Sequence, residues 1–374
     1  MTDVLVVGAG PAGAIAALVL ARAGVRVTLL DRATFPRDKL CGDTVNPGAL
    51  TILRRLHLEA VTEGGRPVDG MVVTGERGVH VTGSYGNGQQ GIALPRRVLD
   101  QRLVAAAVAA GATLHESVLV QGPVRGGDGT VTGIEALRSS GGRERRTAAV
   151  TIAADGRASR IAHTMGLART PWRPRRWAVG AVFSGVTGVT TYGEMHVRAG
   201  RYLGVAPLPG GYTNSCVVTA DRAALKTRDL LLATLRSDPV TADRFASARI
   251  VAGPSVLGPL ALDVRVAGAP GLLLAGDAAG FIDPMTGDGL RFAFRGGELA
   301  AEEALRVLAE GWQEAHVRLD RARRREFVAK WRFNRALRHL VTSPLTVRAA
   351  AAGARVAPSI LQQVIRYAGD IAIA

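Results

Sequence analysis

Gly8-x-Gly10-x-x-Gly13 stands between a short apolar run, Val4 to Val7, and an alanine-rich stretch, Ala12 to Ala23, that Gly24 closes. Glycines at that spacing serve phosphate binding. The first makes a tight turn, the second lets a pyrophosphate reach the backbone, and the third lets helix and strand close up. The helix start then aims its free N–H groups at the phosphates. Gly8, Gly10, Pro11, Ala12 and Gly13 are therefore expected around a pyrophosphate. Asp31, followed by Arg32, ends the next apolar strand about twenty residues on. A carboxylate there accepts from a ribose 2′-hydroxyl and disfavours a 2′-phosphate.

A second segment decides which dinucleotide. Leu272-Leu273-Leu274-Ala275-Gly276-Asp277 is an apolar strand ending in Gly-Asp, and it runs through Asp283-Pro284-Met285-Thr286-Gly287-Asp288-Gly289 into a helix near Leu290. Asp277 is placed to accept from a ribityl hydroxyl, at the carboxyl end of a strand where open α/β sheets bind ligands. Gly287 and Gly289 let backbone N–H groups approach a pyrimidine edge, and the helix at Leu290 points its positive end there. That end stabilises negative charge accumulating on a reduced ring. The pattern points to FAD rather than NAD. Asp155-Gly156-x-x-Ser159-Arg160 follows another apolar strand, so Asp155 is expected near the pyrophosphate with Arg160 in electrostatic support.

The elements that position these residues alternate between two textures. α/β segments lie at about 1–65, 95–165 and 265–310, giving a discontinuous cofactor domain. Segments 66–94 and 166–264 turn often and read as an antiparallel sheet. Residues 229–248 are expected to be helical. Residues 311–374 are expected to form a helical tail, with the helical stretch after Gly289 broken at Pro344 and Pro358. The fold class is α/β: a Rossmann-like domain interleaved with an antiparallel β-sheet substrate domain, plus the tail.

Composition narrows the function classes. The net charge of +16 comes largely from arginine scattered through an alanine- and glycine-rich chain, which coding bias alone produces. No nucleic-acid partner is expected. The exception is 318–338, where Arg321, Arg323, Arg324, Arg325, Lys330, Arg332 and Arg335 crowd around Phe327, Val328 and Trp331. It reads as an amphipathic helix, either solvated and packed on its own domain or docking on a membrane or carrier protein. No apolar run approaches the roughly 20 residues that span a bilayer. The first strand belongs to the fingerprint, so no cleavable leader is expected. Cys41 and Cys216 are too few for a disulfide framework, and a reducing cytoplasm is the simple reading. Seven histidines show no ligand spacing, so no metal is expected. Glu194 and His196 share a strand face and read as a structural pair.

These segments, in this order, resemble the flavoprotein superfamily of p-hydroxybenzoate hydroxylase-type aromatic hydroxylases, flavin-dependent halogenases and geranylgeranyl reductases, over roughly residues 1–310. Arg96-x-x-Leu99-Asp100 is similar to the family's Arg-x-x-Phe-Asp element, which implies that Arg96 contacts the ribityl–phosphate region. Val120 matches the position whose backbone meets adenine. Arg37-Asp38-Lys39-Leu40-Cys41-Gly42-Asp43 is similar to the Arg-x-Lys-x-Cys-Gly signature of the geranylgeranyl reductases. The resemblance implies that Arg37, Lys39, Leu40, Cys41 and Gly42 lie at the flavin, with Cys41 on the substrate side. Without that pattern Cys41 is a small buried hydrophobe. The reductases' Tyr-x-Trp-x-Phe-Pro element has only Tyr202-Leu203-Gly204-Val205-Ala206-Pro207 here. The halogenases' Trp-x-Trp-x-Ile-Pro element is missing, since Trp172 and Trp177 are wrongly spaced.

The implied activity is hydride transfer between FAD and a hydrophobic, isoprenoid- or polyketide-like substrate, with NAD(P)H as a transient reductant and Cys41 as the candidate catalytic residue. The alternatives are an NAD(P)H-dependent FAD monooxygenase, which hydroxylates or epoxidises through a flavin C4a-hydroperoxide, and a flavin-binding protein without turnover.

Overall fold

The computed structural model describes residues 2–76, 78–138, 141–172, 175–222, 229–340, 346, 349, 352–353 and 356–370. Val4–Val7, Val27–Leu30, Val150–Ala153 and Leu272–Leu274 are nearly unbroken apolar runs, buried at every position. Strands covered on both faces take that composition and pair in parallel. They build a six-stranded sheet in the order Gly268–Ala269, Leu272–Leu274, Val150–Ala153, Val4–Val7, Val27–Leu30, Thr113–His115. Its pairings are parallel except at the Gly268–Ala269 edge. Helices Pro11–Arg22, Arg96–Ala109 and Gly289–Glu310 cover one face. The antiparallel strands Val118–Arg125, Val131–Arg138 and Arg143–Thr147 cover the other. Gly13 permits the closest approach in this layer, because a Cβ there would strike the Gly8 carbonyl oxygen.

The second sheet has seven strands, in the order Arg249–Leu257, Trp177–Ser184, Thr213–Thr219, Arg201–Pro207, Tyr192–Arg198, Gly70–Thr74, His80–Ser84. Alternation along Trp177–Ser184 separates its faces. Val179, Ala181 and Phe183 pack against Leu231, Leu235 and Phe245 on one side. Ala178 joins Tyr202, Val218 and Val197 on the other, where Leu40 and Met285 cover them. This sheet is antiparallel except at one pairing. Gly70–Thr74 enters from the early part of the chain and runs parallel to Tyr192–Arg198.

Two helical expectations change. The helix in 229–248 is only Leu230–Ser237. Asp238 precedes Pro239, which pushes it out of the helical region to ψ 130 and stops the run. After Gly289–Glu310 the break falls at Gly311, at φ 85, and Ala315–Leu340 follows. The expected break at Pro358 is present: Ala357 is non-helical, and the helix Pro358–Ala368 opens on the proline, whose missing N–H costs nothing at a first turn. Pro344 lies outside the described residues. These last helices are packed into the body of the protein. Ile365 sits on Gly83, and Tyr367 meets the Phe333 ring edge-on at 4.9 Å. Among the described residues, no helix is long and apolar enough to cross a membrane.

Candidate active site

The fingerprint turn is pinned by Asp31. Its Oδ2 accepts from the Ala9 N–H at 2.8 Å and its Oδ1 from the Ala33 N–H at 2.9 Å. A carboxylate has about four acceptor sites, so lone pairs remain for a sugar hydroxyl. Arg32 points to solvent. The helix Pro11–Arg22 starts without a side-chain cap, which leaves its first amides to an anion. Val118 N–H bonds the Asp31 carbonyl at 2.9 Å, which sets Val120 two residues beyond that end of the turn, its side chain in the core.

A two-arginine clasp stands beside the turn. Asp100, fully buried, takes Arg96 Nε at 2.6 Å and Nη2 at 2.8 Å, and Arg37 Nη2 at 3.3 Å. A Cβ on Gly10 would lie 3.5 Å from Arg37 Nη2, so the clasp faces the expected phosphate site. The Arg96 guanidinium also lies near Cys41. Burial lowers the Lys39 ammonium, with Arg96 adding to the effect and Asp277 opposing it.

Asp277 is the carboxylate these cations surround. Burial raises it above the usual carboxylate range, against the pull of Lys39, Arg96 and Arg157. Asp155 is likewise raised by burial. Its Oδ2 accepts the Arg160 backbone N–H at 3.1 Å, while its buried Oδ1 finds no partner. The Arg160 side chain turns away to Gln121 at 2.8 Å, so its support for Asp155 comes through the main chain.

The loop after Asp277 closes the site. A Cβ at Gly42, Gly287 or Gly289 would meet nothing within 4 Å, so these three positions border open space. Asp288 stands at the start of the helix Gly289–Glu310 but does not cap it. Asn46 Nδ2 at 3.2 Å and Lys330 Nζ at 3.4 Å hold it instead. The Leu290 side chain turns into the core with Phe294, leaving only its backbone toward the loop.

Several residues here carried no sequence signal. Asn214 donates to the Cys41 carbonyl at 2.8 Å and to Asp43 Oδ2, tying the 37–43 segment to the second sheet. Tyr202, Asp283 and Arg176 form a buried cluster beside Met285. Asp283 and Tyr202 stood in segments the sequence singled out, and Arg176 did not. Glu194 and His196 meet at 3.0 Å, but Glu194 is also clasped by both Arg244 nitrogens and His196 bonds Thr74. That network is saturated and structural.

The 318–338 helix is amphipathic in a different sense from the one its sequence suggests. Arg323, Lys330 and Arg338 are buried with Phe327, while Val328 is 40% exposed. Arg323 Nη2 reaches the Ala279 carbonyl at 2.9 Å. Arg321, Arg324, Arg325, Arg332 and Arg335 remain outward.

An orphaned Asp155 oxygen, an uncapped helix start and a glycine-bordered opening fit FAD. The geometry defines a FAD-dependent oxidoreductase. Comparison with known proteins agrees: the FAD binding domain family matches residues 1–229. The menaquinone reductase of Mycolicibacterium smegmatis is 31% identical, over 80% of this chain and 75% of its own. Digeranylgeranylglycerophospholipid reductase 1 of Methanopyrus kandleri is 33% identical, over 82% and 81%. Conditioned medium factor receptor 1 of Dictyostelium discoideum is 31% identical over 82% of this chain, which spans only 64% of that longer protein. A flavin-dependent brominase shares the fold at TM-score 0.83 and 20% identity, over 98% of this chain and 93% of its own. The chain belongs to the p-hydroxybenzoate hydroxylase-type FAD flavoproteins, in their geranylgeranyl reductase-like branch.

Proposed function

We propose that this protein reduces a hydrophobic organic substrate, isoprenoid- or polyketide-like, drawing electrons from NAD(P)H that visits transiently. One observation carries the reading. The 37–43 segment is wedged between the cofactor loops and the apolar face of the seven-stranded sheet. Its Leu40 packs on that face, and its Cys41 carbonyl is held by Asn214 from it. An apolar substrate lying there has Leu40, Val218, Met195 and Met285 for walls.

Bound FAD supplies the hydride-donating ring. Asp31 would hold its adenosine ribose, the Gly10–Gly13 amides and Arg37 its pyrophosphate, and Asp277 its ribityl chain. The Gly287–Gly289 backbone would border the ring on one side and Leu40–Gly42 on the other. The chain's own contribution is orientation and exclusion of water. Leu40 and Met285 keep the reacting region dry, while the Asp100 clasp and Asn214 fix the segment that carries Cys41.

The outward arginines of 318–338 support a second element of the proposal, docking on an anionic membrane surface where apolar substrates partition. A groove of about 340 Å³ between this helix and Gly289–Glu310 has Leu299 and Leu319 in its lining and Arg321 and Arg325 beside them. Arg318 and Arg306 already neutralise Glu303.

Anaerobic mixing with NADPH and NADH, then with prenylated quinones and prenyl lipids, tests the reduction. Flavin bleaching followed by substrate-dependent reoxidation and a product heavier by two hydrogens is expected. An oxygenated product formed only in air would replace this reading with a monooxygenase.

A further inference from the structure

The two cysteines of this chain come from distant parts of the sequence, and the segments that carry them pack together. Asn214 and Cys216 lie two residues apart on the strand Thr213–Thr219, so their side chains leave the same face of the sheet. Asn214 holds the Cys41 carbonyl at 2.8 Å. The residue before Cys41 covers Cys216 itself. A Cβ built on Gly180 would sit 2.5 Å from Leu40 Cδ1 and 2.9 Å from Cys216 Cβ, which makes those two groups neighbours. The thiols also feel each other's charge, as Cys216 feels those of Asp43 and Asp283.

The sheet leaves room around Cys216. Its register partners are Gly180 on one neighbouring strand and Gly204 on the other. A Cβ on Gly204 would meet Cys216 Sγ at 3.1 Å and no other atom within 4 Å, so the sulfur borders open space. Both cysteines are free. The Arg96 guanidinium lies near Cys41.

We propose that Cys41 and Cys216 are an oxidative modification site: a hydroperoxide converts them to an intramolecular disulfide that staples the 37–43 segment to the second sheet. Cys41 attacks the peroxide O–O bond, forming a sulfenic acid and releasing water. Cys216 then attacks that sulfur, forming the S–S bond and releasing a second water. Two thiols are oxidised and one hydrogen peroxide is reduced. A reduced flavin that meets oxygen without substrate makes that oxidant, so the staple closes the slot between cofactor and sheet when substrate is lacking.

Cys216 is the slow partner. It faces Cys41, Asp43, Asp283 and Tyr202, and burial pushes its thiol up to about 12. Its thiolate fraction is small, and proximity has to compensate. The second step therefore quickens as pH rises.

FAD-loaded protein treated with one equivalent of hydrogen peroxide tests the site. Wild type is expected to become about 2 Da lighter, lose both titratable thiols, yield a tryptic Cys41–Cys216 crosslink, and recover with dithiothreitol. Cys216→Ser is expected to stop at a dimedone-trappable sulfenic acid on Cys41, and Cys41→Ser to give neither product. Two thiols surviving in wild type, or the same dimedone adduct in wild type and Cys216→Ser, would overturn the proposal. So would crosslinks only between chains.

Discussion

Tyr202 Oη donates to Asp283 Oδ1 at 2.7 Å, joining the seven-stranded sheet to the loop that ends at Gly289. Both groups are buried, and Arg176 completes the cluster at 3.3 Å from Asp283 Oδ2 while its other nitrogen donates to the Arg338 carbonyl. Sheet, loop and C-terminal helix thus converge on one carboxylate. Burial raises that carboxyl, and Arg176 and the Tyr202 hydroxyl oppose the shift.

Tyr202→Phe removes the hydroxyl and little else. A hydrogen bond to a charged group is worth about 2 kcal/mol, and Asp283 Oδ1 keeps the Met285 N–H at 3.2 Å. Denaturant unfolding is expected to show a loss of that order with an unchanged m-value. Asp283→Ala is expected to be worse, because it strands Arg176 as a buried cation. Equal losses for the two variants would mean the cluster does not act through its carboxylate.

Asp277 is expected to govern flavin retention. Its carboxylate is surrounded by Lys39, Arg96 and Arg157, and it sits at the carboxyl end of the strand Leu272–Leu274. Asp277→Ala removes the acceptor and leaves those cations uncompensated. The variant is expected to purify with little FAD and to bind added FAD at least about tenfold more weakly, since one charged hydrogen bond is worth about 1.5–3 kcal/mol. Absorbance of the purified protein reads this directly. Full occupancy would place the ribityl chain elsewhere.

Asp43 sets a pH dependence. Burial pushes its carboxyl from 3.8 up to about 7, against hydrogen bonds from Asn214 and the Arg96 N–H. Between those values the folded chain holds a proton that the unfolded chain has lost. Stability therefore falls as pH rises through that window and levels off above it, by an amount on the order of a few kcal/mol. Asp43→Asn cannot ionise and is expected to flatten much of this slope, although it gives up one accepted hydrogen bond. Melting temperatures from pH 5 to 8 compare the two, and parallel curves would show that Asp43 is not the titrating group.

The cofactor half of the site was legible because its requirements are local. A tight turn, a close approach to phosphate and a strand-end carboxylate each leave a fixed spacing, as at Gly8–Gly13 and Gly276–Asp277. Long-range partners leave none. Asn214 reaches Cys41 and Asp43 across separations of 173 and 171 residues, and nothing in Thr213–Thr219 distinguishes it from a buried polar residue of any strand. The basic helix misled for a related reason. Arg323 and Lys330 look solvated by composition, yet the fold turns them inward, where the Ala279 carbonyl takes one and Asp288 the other. The break at Gly311 has a single glycine for its signal, where the two prolines downstream are stronger helix breakers. One of those, Pro358, favours a helix start.

The arginines that stay outside make the docking proposal sharp. Arg321 and Arg325 are one turn apart on the same helix face and line the groove against Gly289–Glu310. A basic residue near an anionic surface contributes about 1 kcal/mol. Replacing both by Glu is therefore expected to lower partitioning onto phosphatidylglycerol-containing vesicles by about tenfold or more, while FAD content and melting temperature stay unchanged. Wild-type binding is expected to weaken steeply with salt and to vanish on neutral phosphatidylcholine, as a screened charge interaction must. Cosedimentation of the holoprotein measures all of this. Equal binding by wild type and Arg321→Glu/Arg325→Glu would rule out this face. Loss of binding to an acidic carrier protein, with vesicle binding intact, would reassign it to that partner.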